Sequence, residues 1–127
     1  MGVEVELKAW IDDGDALHRR LDEIGTFRRR YRKEDYYFSR GDDPRESRVR
    51  LRRDDGRCYC TYKDKRLIDG IEHNQETEFE VSDGDAFRTM MEGLGFSVVV
   101  EKRKEGGSWI VDGIVAEVSE VYTLGTF

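Results

Sequence analysis

Three residues near the start of the chain have the types and spacing to do chemistry: Glu4, Glu6 and Lys8, each two positions apart. On a β-strand, positions two apart share a face, so two carboxylates and an ammonium project together. Val3, Val5 and Leu7 take the other face. A carboxylate pair beside a lysine suits a divalent cation and an anionic ligand bound together. The same alternation recurs in Glu76, Glu78 and Glu80, interleaved with Thr77, Phe79 and Val81. Arg48, Arg50 and Arg52 alternate with Val49 and Leu51, and Thr61 with Lys63 and Lys102 with Lys104 extend the pattern. Three arginines on one face repel unless anions lie among them, and three glutamates repel unless cations do. Segregated signs on separate strands are what a metal–polyphosphate site needs: carboxylates for Mg²⁺ or Mn²⁺, arginines and lysines for the remaining phosphate charge. An open sheet whose charged face is simply solvated fits the spacing equally well.

The elements that must position these groups are legible from periodicity. Leu17, Leu21 and Ile24 fall on one face of a helix led by Asp12-Asp-Gly-Asp15 and closed by Gly25. Seventy positions later Asp83, Gly84, Asp85, Ala86 and Gly95 repeat Asp13, Gly14, Asp15, Ala16 and Gly25, with Phe87, Met91 and Leu94 as the apolar stripe. This indicates an internal duplication of a strand–helix unit. The remaining segments read as strands. Tyr36 to Phe38 is short and aromatic, Arg48 to Arg52 and Cys58 to Lys63 flank a hairpin turn at Asp54-Asp-Gly56, and Val98 to Lys104 is followed by a Gly106-Gly107 turn. Trp109 to Val111 and Ile114 to Val121 flank a turn at Asp112-Gly113. Two helices with about eight short-turned strands predict an antiparallel α+β fold, the sheet curling toward a barrel.

Bulk properties narrow the function classes. The 127 residues suffice for a single domain, residues 1–127, and the 39% of charged residues accompany periodic apolar ones, as in a folded domain. A net charge of −6 argues against general nucleic-acid binding. No apolar run reaches the length of a membrane span and no signal-peptide pattern is present, so no membrane association and a cytoplasmic location are expected. Arginine outnumbers lysine 16 to 6, favouring planar oxyanions held by paired hydrogen bonds. Cys58 and Cys60, two apart on a predicted strand, read as reduced thiols rather than a disulfide or a zinc site, since His18 and His73 lack ligand spacing. Asp42-Asp43, Asp54-Asp55 and Arg28-Arg-Arg30 read as turn and surface charge, and Trp109 and Tyr36–Tyr37 as outer packing.

An ordered set of segments resembles the CYTH family, which groups class IV adenylate cyclases with thiamine triphosphatases and other triphosphate tunnel metalloenzymes. Glu4-Val-Glu-Leu-Lys8 matches its E-x-E-x-K signature, and Asp35-Tyr-Tyr-Phe38 its D-x-Y-F strand. Val49 to Arg53 resembles its L-R-x-R segment, Thr61-Tyr-Lys63 its T-Y-K, and Glu78-Phe-Glu80 its second E-x-E. Glu101-Lys-Arg103 and Leu124-Gly-Thr-Phe127 resemble its K-R and L-G-x-F segments.

The resemblance implies an eight-stranded antiparallel β-barrel, a triphosphate tunnel with helices packed outside. It implies Glu4, Glu6, Glu78 and Glu80 as ligands of Mg²⁺ or Mn²⁺, Glu4, Glu6 and Lys8 as catalytic residues, and Lys8, Arg50, Arg52, Lys63 and Lys102 on the phosphates. Arg48 and Lys104 join them by alternation. The implied activity is metal-dependent turnover of ATP to cyclic AMP and pyrophosphate, with inorganic or thiamine triphosphate hydrolysis, or binding of a nucleotide or polyphosphate without turnover, as alternatives. Two departures stand out. Ser119 occupies the place of a family aspartate, with Glu117 on the same face. The sequence also ends at Phe127, ahead of the family's closing strand, so a barrel truncated at its C-terminus, or one completed by a second copy in a homodimer, is expected.

Overall fold

A computed structural model of the chain describes residues 2–3, 11–41 and 47–126. Glu4, Glu6 and Lys8 lie outside the described residues, as do Asp42 and Asp43. The element order is β1 (Gly2–Val3), α1 (Gly14–Ile24), β2 (Thr26–Ser39), β3 (Val49–Asp54), β4 (Arg57–Ile68), β5 (Ile71–Val81), α2 (Gly84–Gly93), β6 (Ser97–Val111) and β7 (Ile114–Thr126). All strands join one antiparallel sheet in the order β1-β5-β4-β3-β2-β6-β7. The expected α+β antiparallel architecture is present. Of the eight strands expected, the described residues contain six long ones and the two-residue β1, with β1 and β7 at the ends of the order.

Aspartate–glycine pairs make the hairpins. Asp55-Gly56 (φ 52° and 78°), Asp69-Gly70 (52° and 76°) and Asp112-Gly113 (50° and 78°) each place two successive residues in the left-handed region. That is the tight two-residue turn whose twist matches the strands it joins. The middle turn extends β4 to Ile68 and starts β5 at Ile71, well past the predicted end of the strand at Lys63.

The duplicated helix starts are real in geometry. Asp13 and Asp83 are both N-caps, their carboxylates accepting from Ala16 N at 2.9 Å and Ala86 N at 3.0 Å. The helix ends differ. Gly95 takes φ +93°, a left-handed stop, whereas Gly25 is extended and packed so closely that a Cβ there would lie 2.7 Å from the Ile110 carbonyl oxygen.

Both helices cover the apolar face of the sheet. Phe87 and Met91 of α2 pack on Phe38, Leu51 and Val98, with the Phe38 and Phe87 rings edge to face. Leu21 of α1 is buried, His18 stacks near Trp109, and the Trp109 indole N–H donates to Asp22 at 2.8 Å. Trp109 is thus apolar-face packing, as expected. Cys58 and Cys60 are free and on this same face; burial pushes the Cys60 thiol up to about 11.

Two strand assignments need correction. Gly106-Gly107 is no turn: β6 runs unbroken from Ser97 to Val111. Here glycine serves close approach, since a Cβ on Gly106 would sit 2.0 Å from the Val118 carbonyl oxygen and one on Gly107 would meet the Trp109 ring at 2.8 Å. Likewise β2 is fourteen residues, and Arg28-Arg-Arg30 belongs to it rather than to a turn. Arg29 lies on the polar face by alternation from Tyr31, and the register shift between Phe27 and Arg29 turns Phe27 to the opposite face, against Trp109.

Candidate triphosphate-binding face

Strand register brings the charged residues together on the face opposite the helices. Arg52 of β3 lies opposite Asp35 of β2, which lies opposite Lys102 of β6. Arg50 stands between Tyr37 and Thr61, and Thr61 faces Glu78. Lys33 lies between Asp54 and Lys104. Of the sequence-predicted residues, the face therefore collects Arg50, Arg52, Lys63, Lys102, Lys104, Glu78 and Glu80. Arg48 precedes β3 and is exposed, its carbonyl accepting from Lys63 N.

The centre of the face is Asp35, with 0% of its surface exposed. Its carboxylate takes the Arg52 guanidinium in two parallel bonds, Nε–Oδ1 at 2.7 Å and Nη2–Oδ2 at 2.8 Å, and Lys104 Nζ lies 3.9 Å from Oδ2. Burial pulls the Asp35 pKa upward, but the Arg52 hydrogen bonds and the charges of Arg52, Arg50 and Lys104 outweigh it. The carboxyl is held below the ordinary 3.8. Asp35 is thus ionised and aims one predicted phosphate ligand.

Arg50 is held differently. Its Nη2 donates to Thr61 Oγ1 at 3.3 Å, and the Thr61 hydroxyl donates onward to Glu78 Oε2 at 3.0 Å. Arg50 Nε is buried and has no protein acceptor. A buried guanidinium N–H without an acceptor costs free energy unless a ligand supplies one. Lys63 Nζ lies 3.1 Å from Glu76, its direct cross-strand partner, and Lys102 Nζ stands 5.5 Å from the Tyr37 ring centroid.

These contacts correct the picture of segregated signs. Lys63 of β4 is met by Glu76 of β5, and Arg52 of β3 by Asp35 of β2, so neither the glutamate strand nor the arginine strand stands without counter-ions. Tyr37, expected in outer packing beside Tyr36, faces Arg50 and Lys102, while only Tyr36 packs with the core.

A second polar cluster lies beyond Arg52 and was not anticipated. Arg29 forms a fork with Asp54 at 3.0 and 2.8 Å, so neither is plain surface or turn charge. Lys33, 7% exposed, stacks 4.3 Å from the Tyr31 ring centroid and reaches Glu117 Oε2 at 3.7 Å. Burial lowers its pKa, against the opposing pull of Glu117. The Tyr31 and Ser119 hydroxyls share a short hydrogen bond across Gly106. Tyr31 and Lys33 on β2 touch β7 although β6 lies between, a span of roughly 10 Å in a flat sheet, so the sheet curls about this face. Continuing the alternation back from Asp35 through Lys33 and Tyr31 to Arg29 would have found this cluster.

The carboxylate set is oxygen-only and hard, as Mg²⁺ or Mn²⁺ requires. Glu78 and Glu80 contribute two members from β5, Glu80 lying 4.0 Å from Arg57. Among the described residues no three His, Cys, Asp or Glu side chains converge as a metal site. Glu4 and Glu6, the other two expected ligands, lie outside the described residues. The donor chemistry therefore fits a divalent cation, and completing it rests on that first carboxylate pair.

Comparison with known proteins agrees with the geometry. Residues 2–127 match the CYTH domain. A Methanocaldococcus jannaschii protein named "Putative adenylate cyclase MJ0240" is 32% identical over 129 residues, spanning 98% of this chain and 74% of the relative. The solved structure of the PH1012 protein of Pyrococcus horikoshii OT3 superposes with a TM-score of 0.71 at 25% identity, covering 86% of this chain and 66% of that one. A conserved hypothetical protein from Pyrococcus furiosus gives 0.66 at 27%, covering 83% and 63%. The chain thus spans about two thirds of the solved relatives' length. On sequence and architecture together, this chain belongs to the CYTH domain family.

Proposed function

We propose that the polar face binds a linear triphosphate with a divalent cation, and that the chain acts as an adenylate cyclase converting ATP to cyclic AMP and pyrophosphate. The observation that carries this reading is Arg50. Its buried Nε lacks an acceptor while its neighbours Arg52, Lys63 and Lys102 converge on the same surface. Phosphate oxygens would supply the acceptor and use the fork geometry that Asp35 imposes on Arg52. Membership of the family and the name of the M. jannaschii relative support the choice of reaction.

Mg²⁺ or Mn²⁺, held by Glu4, Glu6, Glu78 and Glu80, would lower the pKa of an attacking hydroxyl and neutralise phosphate charge. The chain's own contribution is position and charge. Arg50, Arg52, Lys63, Lys102 and Lys104 would hold the phosphates and stabilise charge that moves onto the leaving pyrophosphate, which is most of what phosphoryl transfer asks of a protein. Lys8 and Arg48 would extend that cationic surface.

Ser119 favours one other reading. Its hydroxyl is tied to Tyr31, so at the position of a family carboxylate this chain offers no charge, which suits binding without turnover. Incubation with ATP, inorganic triphosphate and thiamine triphosphate, with Mg²⁺ or Mn²⁺, resolves the choices. Cyclic AMP with stoichiometric pyrophosphate is expected from ATP. Orthophosphate as the main product would establish a triphosphatase instead. Binding without turnover of all three substrates would sink the enzyme reading.

No described helix is long and apolar enough to cross a membrane. The two free thiols support placement in the reducing cytoplasm.

A further inference from the structure

The polar face has two halves of different character. In one, Arg50 has an unused donor, and Arg52, Lys63 and Lys102 surround it. Arg52 and Lys63 there already meet Asp35 and Glu76, as in the other half Arg29 meets Asp54 and Lys33 meets Glu117. The halves differ in the unused Arg50 donor and in the exposed Glu117 carboxylate. A polyanion gains less in the second half, because the half-exposed Glu117 carboxylate would repel it. That half instead offers uncharged hydrogen-bonding chemistry. The Tyr31 and Ser119 hydroxyls are there, and Ser108 directly faces Glu117 across the β6–β7 ladder. Ser108 is 2% exposed and its hydroxyl has no partner, an omission that a buried polar group rarely tolerates without a ligand. Glu117 keeps about half of its side chain exposed, and its contact with Lys33 at 3.7 Å is longer than a hydrogen bond, so carboxylate lone pairs remain to accept.

We propose that Glu117, steadied by Lys33 and backed by Ser108, receives the sugar hydroxyls of a nucleoside triphosphate whose phosphates lie on the Arg50 half of the face. The inference rests on the triphosphate reading above and adds specificity to it: Glu117 is a specificity residue, and inorganic triphosphate fills only half of the site. The spacing is suitable. Along the strands, Tyr31 and Gly106 stand two residues, roughly 7 Å, beyond the Lys33–Lys104 row, and Ser108 and Glu117 two further. The second half therefore begins where the last phosphate cation ends. Chemistry suits it too, since a carboxylate accepting from a diol, with a serine hydroxyl beside it, disfavours an analogue lacking those hydroxyls. Without the diol, the Glu117 lone pairs that Lys33 does not engage lose their donors in a partly desolvated site.

Titration calorimetry on the whole chain with Mg²⁺ tests this with three probes: α,β-methylene-ATP, its 2′,3′-dideoxy form, and inorganic triphosphate. Wild type should bind the full analogue about tenfold more tightly than the dideoxy form, a difference of about 1.4 kcal/mol. Glu117→Gln should abolish that preference while inorganic triphosphate binds as well or better. Removing a negative charge cannot weaken an anion by electrostatics, so a loss confined to the hydroxyl-bearing probe isolates the contact. Ser108→Ala, which only removes an oxygen, should narrow the preference and serves if Glu117→Gln lowers the melting temperature. Equal binding of the two nucleotides to wild type, or an equal loss of all three probes in Glu117→Gln, would overturn the proposal and leave triphosphate binding standing. Failure of all three probes to bind wild type would overturn both.

Discussion

Replacing Asp35 with asparagine removes one charge from the centre of the polar face and keeps the shape. In the native chain Asp35 is fully buried and holds Arg52 through two short bonds, with Lys104 nearby. Asparagine offers one carbonyl oxygen and a donor that faces another donor, so Arg52 is left as a largely buried cation without its counter-ion. Breaking a buried pair on one side costs about 3–5 kcal/mol. Taking about 3 kcal/mol and an unfolding entropy of roughly 0.27 kcal/mol/K for a chain of 127 residues, the melting temperature should fall by about 11 °C. Differential scanning calorimetry reads this directly. The double variant Asp35→Asn with Arg52→Met is the decisive control. It removes the stranded charge as well as its partner, so it should recover half or more of the loss. Inorganic triphosphate, by giving Arg52 new acceptors, should raise the melting temperature of Asp35→Asn more than that of wild type. A shift under about 2 °C for Asp35→Asn, or a double variant no better than the single one, would refute Asp35 as the counter-ion that orders this face.

Arg50→Ala should leave the melting temperature within about 2 °C and weaken triphosphate binding roughly 10- to 100-fold, the loss of one or two charge-assisted bonds, as measured by calorimetry. Gly106→Ala drives a methyl group into the Val118 carbonyl and should cost about 1–3 kcal/mol, seen as a lower denaturant midpoint. Acid unfolding should begin below the ordinary carboxylate value of 3.8. The pKa values of Asp35 and Asp54 are depressed on folding, so their contribution is complete above that pH and is lost as pH falls through their lower folded values. Asp35→Asn with Asp54→Asn should flatten the fall between pH 4 and 2 monitored by circular dichroism, and an unchanged slope would show that neither carboxylate carries it.

What the sequence reveals here and what it hides differ by the distance over which each signal acts. Period-two alternation is local, so the assignment of Arg50, Arg52, Lys63, Lys102 and Glu78 to one face follows from neighbours alone and agrees with the strand register. The aspartate caps at Asp13 and Asp83 act over three residues and are equally legible. The Asp69-Gly70 turn carried the same dipeptide signal as the other two hairpins, and a strand ended too early concealed it. Asp35 is a different case. Its role depends on Arg52 standing opposite it and Lys104 one row away on another strand, and no local pattern encodes that pairing. Gly106-Gly107 misleads for the same reason. Two adjacent glycines suggest a turn when judged alone, but the approach of β7 to one and of the Trp109 ring to the other requires them inside a strand. The choice between a solvated sheet and a binding face likewise draws on tertiary contacts that no local pattern encodes. A merely solvated face would leave its arginines in water, whereas Arg52 is locked onto a fully buried carboxylate and Arg50 Nε is buried without an acceptor. One guanidinium fixed beside an unsatisfied neighbour is the arrangement that supports the proposed anion-binding reading.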